Sequence, residues 1–350
     1  MTEDAIYGQR ITLGEPPLKA GEVLYSLRDV SVEYGTRAGP VAAVDRVSLD
    51  IRKGEILGLV GESGCGKSTL GKAMLRMITR PGKITTGELW FDGVDLLTLS
   101  ERRMREIRGA RLGMVFQDPM TSLNPLSKIV DHLTETVMTH EPNVSEAAAR
   151  DHAAQLIGRL GLREERIDDY PHQFSGGMRQ RIMIALALAL QADLVIADEP
   201  TTALDVIVEA QFLDLLRELR DEFDLTIVLI THNIGVVAEV ADRVAVMYAG
   251  RMAELASVND LFLDTKHPYG QGLLRAVPNI ELDGAELYQM AGAPPNLLHT
   301  PSGCAFHPRC PAVMPICSQR QPEFLPLEGD HYTACWLYQD HPAKPGGHDA

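Results

Sequence analysis

Nine residues, GESGCGKST from Gly61 to Thr69, constrain this chain more than any other stretch. They match G-x-x-x-x-G-K-[ST] in full. Directly before them runs ILGLV, Ile56 to Val60, short and wholly apolar as a buried parallel strand is. A helical pattern follows. Strand, glycine-rich loop and helix in that order form the setting in which this loop binds phosphate. The glycines let the backbone curl, so that its N–H groups point inward, and the helix adds its positive N-terminal end. Lys67 supplies a point charge for the β- and γ-phosphates, and the Ser68 hydroxyl is suited to Mg²⁺. Gly61, Ser63, Gly64, Cys65, Gly66 and Thr69 complete the cradle. Cys65 lies near a helix N-terminus, a position that lowers a thiol pKa. It reads as a tolerated small residue without a catalytic part.

LVIADEPTTALD, Leu194 to Asp205, is an apolar strand that ends in two carboxylates. Ligand crevices of parallel sheets lie at that carboxyl edge. Asp198 there would hold Mg²⁺ through water, and Glu199 would polarise an attacking water. A phosphate loop and an acidic strand end also fit kinases, motors and helicases. FSGGMRQR, Phe174 to Arg181, narrows the class. Ser175, Gly176 and Gly177 open a strongly helical run, which makes a second anion site more than 100 residues from the first. Two such sites suggest ATP held between two copies.

The remaining pattern predicts an α/β fold. VLYSLRDVSVEY and VAAVDRVSLDI alternate as antiparallel strands, with TRAGP as the turn between them. Later strands are expected at Leu194–Ala197, Thr226–Ile230 and Val244–Met247, with helices between them. Val208, Phe212, Leu215, Leu216 and Leu219 form a helical apolar stripe. Such alternation predicts a mainly parallel sheet covered by helices. Residues 119–175, with a helix over Ala147–Leu160, read as a helical insert. Residues 1–21 read as a loose arm, 22–277 as the nucleotide-binding domain, and 278–350 as a small, irregular Cys/Pro-rich domain.

The chain has 350 residues, a prior of about two domains. Its net charge of −15 argues against a general nucleic-acid binder. The longest uncharged apolar run, Ile182 to Leu190, is far short of the roughly 20 residues of a membrane helix. The acidic start, MTEDAIYGQR, is no secretory signal. The cytosol is the default compartment, where cysteines stay thiols or bind metal. Cys304, Cys310, Cys317 and Cys335 are spaced C-x5-C-x6-C-x17-C. That spacing is no standard zinc ribbon, but four thiolates suit Zn²⁺ or an iron–sulfur cluster. His307 is a further candidate ligand, although a loop histidine of this kind is ordinarily solvated.

On these motifs the chain resembles the nucleotide-binding subunits of ABC transporters, over about residues 24–277. Gly61–Thr69 matches the Walker A loop, Gln117 in VFQDP the Q-loop glutamine, and Ser175–Gln180 the signature motif. The Walker B strand with Glu199, the D-loop with Asp205 and the switch histidine, His232 in ITHN, follow in the family's order. Tyr34 in VSVEYG falls where the family stacks an aromatic on adenine, although a strand tyrosine needs no such role. Met178 stands where the signature usually has Gln, and Asn233 where Asp usually follows the histidine. The resemblance implies catalytic parts for Glu199, His232, Lys67 and Gln117, and Mg²⁺ ligation by Ser68, Gln117 and Asp198.

FQDPMTSLNP, YPHQFSGGMRQR, IADEPTTALDV and HPYGQGLLRAVP are similar to the dipeptide and oligopeptide importer branch. The cysteine-bearing tail, GCAFHPRCP, resembles that branch too, where some members hold a 4Fe–4S cluster; zinc is the alternative. The resemblance implies an ATPase powering peptide import, working with a second and distinct ATPase subunit. It also implies two membrane permeases, an extracytoplasmic binding protein, and a peripheral place on the cytoplasmic face of the membrane. A nickel or oligosaccharide importer, or a non-transport ABC ATPase, are the competing readings.

Overall fold

The computed structural model describes residues 18–118, 122–202, 204–276 and 289–340. Most of the expected arm, the start of the insert at Pro119, the boundary at 277 and the last ten residues lie outside them.

Alternating residues build the first sheet. Strands β1 (Val23–Thr36) and β2 (Gly39–Arg52) pair antiparallel, with Leu27 opposite Leu49 and Val30 opposite Val47. β4 (Gly82–Phe91) lines the other side of β1, and β5 (Val94–Asp95) closes the sheet. Leu27, Val30, Val47 and Ile51 are fully buried, so one face packs inward and the polar face meets water.

The second sheet carries the site. β3 (Ile56–Val60) lies between β8 (Thr226–Thr231) and β9 (Arg243–Tyr248), parallel to both. β7 (Leu194–Asp198) and β6 (Leu112–Val115) extend the parallel array beyond β8. Every residue of β3, β7 and β8 is buried, as their unbroken apolar text requires. β10 (Arg251–Ser257) adds an antiparallel strand beside β9.

Helices cover this sheet. α1 (Lys67–Met74) follows β3, and α2 (Glu101–Ile107) precedes β6. α3 (Ile129–His140), α4 (Glu146–Arg159) and α5 (Gly176–Leu188) pack together through Leu133, Val137, Ile157 and Ile182. α6 (Val206–Phe223) buries Phe212, Leu215, Leu216 and Leu219 of the expected stripe, whereas Val208 stays half-exposed against Gly177. α7 (Ile234–Val240), α8 (Val258–Asp264) and α9 (Pro268–Arg275) complete the helices used below. Side-chain caps mark the starts: Ser145 for α4, Ser175 for α5, Asp205 for α6 and Asn233 for α7 each accept from a backbone N–H.

The cysteine-bearing tail does not stand apart from this sheet. Its strands β11 (Leu325–Pro326) and β12 (Tyr332–Thr333) continue the sheet beyond β10, with Thr333 opposite Glu254. Glu254 is wholly buried and accepts from the N–H groups of Lys266 and His267 and from His331, at 2.7, 2.9 and 2.7 Å. The tail is thereby bound to the cassette through a satisfied carboxylate.

Candidate nucleotide site

The loop after β3 curls around its own lysine. Lys67 Nζ donates to the carbonyls of Gly61, at 2.7 Å, and Glu62, at 3.1 Å. The glycines are needed for space as well as for φ. A Cβ on Gly66, where φ is 106°, would come within 2.1 Å of the Ala43 carbonyl. At Gly61 it would come within 2.2 Å of the Met247 carbonyl. Side chains at these two positions would push the loop off the sheet.

β7 delivers its carboxylates to the same edge. Ser68 Oγ donates to Asp198 Oδ1 at 2.8 Å, which joins the end of the loop to the end of β7. Burial raises the pKa of Asp198 above the usual carboxylate range, and the Ser68 hydrogen bond opposes that. A hydroxyl beside a carboxylate at a phosphate loop is a donor set suited to Mg²⁺.

Three residues from three separate loops surround the next carboxylate. Glu199 Oε2 accepts from Gln117 Nε2 at 3.1 Å and from Thr202 Oγ1 at 3.2 Å. His232 Nδ1 lies 3.4 Å from Oε1. Gln117 follows β6, Glu199 follows β7 and His232 follows β8, so three parallel strands bring them together. His232 is half-exposed while Glu199 is mostly covered. That arrangement can orient and polarise a water.

The expected second anion site, Ser175–Gly177, lies at the surface. Ser175 and Gly176 are exposed, and a side chain at Gly176 would meet open space. A Cβ on Gly177 would meet Val208 Cγ1 at 2.5 Å, so α6 leaves no room there. Asp205 accepts from the Val208 N–H at 2.9 Å. Tyr34 is half-buried on β1, its ring against Gly82. The two spelling departures keep local bonds: Met178 Sδ accepts from Arg166, and Asn233 caps α7 as Asp would.

The ABC transporter family matches residues 44–202, and the family "Oligopeptide/dipeptide transporter, C-terminal region" matches 253–317. The dipeptide transport ATP-binding protein DppD of Bacillus subtilis is 46% identical over 92% of this chain and 97% of its own. The chain belongs to the ABC ATPases of the dipeptide and oligopeptide transporters. The oligopeptide transport ATP-binding protein OppD of Salmonella typhimurium is also 46% identical, over 86% of this chain and 90% of its own. Among solved structures, the dimeric ABC transporter cassette MJ0796 superposes with a TM-score of 0.61. It is 29% identical and covers 67% of this chain and 98% of that one. A second structure of that cassette is a post-hydrolysis dimer bound to ADP and Pi. As in these ATPases, the reaction is ATP hydrolysis, and the α/β cassette fold expected from the motifs is the fold observed. No helix among the described residues is long and apolar enough to cross a membrane.

Two expectations need correction. Cys65 does not have a lowered pKa. It is 6% exposed, and burial raises the thiol despite Lys67 nearby. Desolvation outweighs the helix end, because the thiolate would have to form without water. The zinc alternative for the tail is not met either. Among the described residues no group of three or more His, Cys, Asp or Glu side chains could hold a metal ion, so zinc does not fit. His307 is engaged otherwise, its Nδ1 2.9 Å from the Cys304 carbonyl oxygen. Burial pushes Cys304 up to about 11 and Cys335 up to about 12, with each also raised by other tail cysteines. Cys304 and Cys335 are therefore held as thiols, and Cys335 lies near enough to feel the other three sulfurs.

The sequence reading missed one part of the site. Tyr269 and Arg309 both touch Glu62 of the phosphate loop. HPYG and FHPRC resemble family spellings, and no local pattern links them to residue 62.

Proposed function

We propose that this subunit hydrolyses ATP to drive import of di- or oligopeptides, with each ATP enclosed between two ATPase subunits. The convergence of Gln117, Glu199 and His232 beside the joined Ser68 and Asp198 carries the reading. Lys67 and the loop amides of Gly61, Ser63, Gly64, Cys65, Gly66 and Thr69 hold the triphosphate. Ser68, Gln117 and Asp198 hold Mg²⁺, which neutralises phosphate charge when bound. Glu199 polarises the water, and His232 orients it against the γ-phosphate. Tyr34 stacks on adenine.

Ser175, Gly176 and Gly177 complete the site of the partner, with Asp205 at the contact. The outward exposure of Ser175 and Gly176 supports that role, and the dimeric cassette MJ0796 is a precedent. The partner is a related but distinct ATPase chain. Two permeases dock on the helical insert, about residues 119–175 of a nucleotide-binding domain spanning about 22–277, and the insert swings as the domains close on ATP. An open groove where His132 and Glu135 of the insert face Met77, Met114, Phe116 and Met183 outside it supports docking along that boundary. An extracytoplasmic binding protein supplies peptide, and the subunit sits on the cytoplasmic face of the membrane.

Uptake of labelled dipeptide by vesicles holding the whole complex tests this reading. Uptake should require ATP inside and stop with Lys67→Ala. Transport of nickel or oligosaccharide, with none of peptide, would overturn the substrate assignment.

Residues 278–350 form the extension of this branch, and a 4Fe–4S cluster there is the narrower proposal. Its support is the chemistry of four cysteines in one neighbourhood, the donor set of such clusters. The catalytic cycle runs through none of them. Protein isolated without oxygen should contain about four iron and four sulfide per chain. An iron-free, colourless product would overturn the cluster.

A further inference from the structure

Glu62 is a carboxylate inside a loop built to hold phosphate. An uncompensated negative charge there opposes binding of a triphosphate. Two residues distant in sequence restrain it. The Glu62 N–H donates to the hydroxyl of Tyr269, at 2.8 Å, and Tyr269 is fully buried in α9. The carboxylate meets Arg309 as a fork: Nη1 to Oε2 at 2.6 Å and Nη2 to Oε1 at 2.9 Å.

The guanidinium is itself anchored from behind. Its Nε donates to the Ala291 carbonyl at 3.0 Å, and Nη1 also donates to the Tyr248 hydroxyl at 3.2 Å. The Tyr248 ring packs against Tyr269 and Phe306 at 4.5 and 5.2 Å. The Arg309 side chain is 6% exposed and that of Glu62 is 24% exposed. A pair so covered is screened little by salt. Only arginine offers this planar fork with a third N–H free for the anchor.

We propose that Arg309, in the C-terminal extension, is a positioning residue of the ATP site. It neutralises Glu62 and fixes the outer half of the phosphate loop, so that the loop meets ATP without repulsion. The tail thereby becomes part of the nucleotide site rather than an appendage to the cassette. This rests on the reading of Gly61–Thr69 as the phosphate cradle.

The test uses the full chain with Arg309→Ala, Arg309→Lys, Glu62→Gln and the double variant Arg309→Ala/Glu62→Gln. ATP turnover and melting temperature are measured for each. Arg309→Ala should raise KM for ATP about tenfold, with a smaller change in kcat. Arg309→Lys should recover part of that. Glu62→Gln should lower KM, because it leaves a cation and removes an anion beside the phosphates. The double variant should return KM to within about threefold of the parent, since neither charge remains. A structural role alone predicts no such rescue. An unchanged KM in Arg309→Ala, or a folded double variant as poor as Arg309→Ala, would overturn the proposal. Lys67→Ala separates the two readings. If it binds ATP as the parent does, the cradle assignment itself fails and this inference falls with it.

Discussion

Glu199 stands in the left-handed region, with φ at 48°, and its N–H donates to the Ile230 carbonyl at 2.8 Å. A non-glycine residue held there costs on the order of 1 kcal/mol, and the neighbouring strand β8 holds it in place. Replacing Glu199 by Gln keeps the shape but cannot polarise water. Turnover should fall by a factor of about 10² or more while ATP binding persists, measured by single-turnover hydrolysis and nucleotide titration. Wild-type turnover in that variant would remove Glu199 from its proposed role. Cys65 gives a second expectation at this scale. Buried and with a raised pKa, it should react with maleimide far more slowly in the folded chain than after denaturation, as mass spectrometry would show. Equal rates would contradict the burial. These residues differ in how far the sequence exposes them. Gly61 and Gly66 were legible because a Cβ there strikes backbone. The thiol pKa of Cys65 was not, because it depends on what packs against the loop, and Met247 of β9 and Ala43 of β2 approach it from elsewhere in the chain.

Among the elements, α9 shows what a cap does when it is also a titrating group. His267 starts the helix, its Nδ1 accepting from the Tyr269 N–H at 3.0 Å, ahead of Pro268. Burial lowers its pKa to about 4, so the folded chain keeps it neutral. The unfolded chain takes up a proton near pH 6.5. Between pH 6.5 and 4 the unfolded state therefore binds more protons, and stability falls as the pH falls. The full loss approaches about 3 kcal/mol from this one group. His267→Asn keeps a cap acceptor without titrating, and should flatten this part of the stability-versus-pH curve in urea melts. An identical slope would assign the acid sensitivity elsewhere. Most elements were legible in outline. The stripe of α6 and the apolar runs of β3, β7 and β8 are periodic enough to declare themselves. β11 and β12 are not, since two residues cannot alternate and Pro326 discourages a strand reading.

Across the whole molecule, the tail and the cassette are one folding problem. The carboxylate of Glu254 is buried at 0% exposure and depends on His331 of the tail for one of its partners. A chain cut after Ser302 would leave that charge underpaired, remove Phe306 from its aromatic cluster and bare the edge of β10. It should lose roughly 3 kcal/mol or more, seen as a lower calorimetric melting temperature. A truncated chain as stable as the parent would show that the two parts fold independently. The sequence displayed the tail as a separate irregular unit because its prolines and cysteines set it apart in composition. Its attachment is made by single long-range contacts, and composition carries no trace of those. One of these contacts has a consequence for synthesis. Glu62 and Arg309 are 247 residues apart. A ribosome needs about 12–50 s to cover that distance. For that interval the nascent phosphate loop carries a bare carboxylate, so the growing chain should bind ATP poorly until its last part emerges.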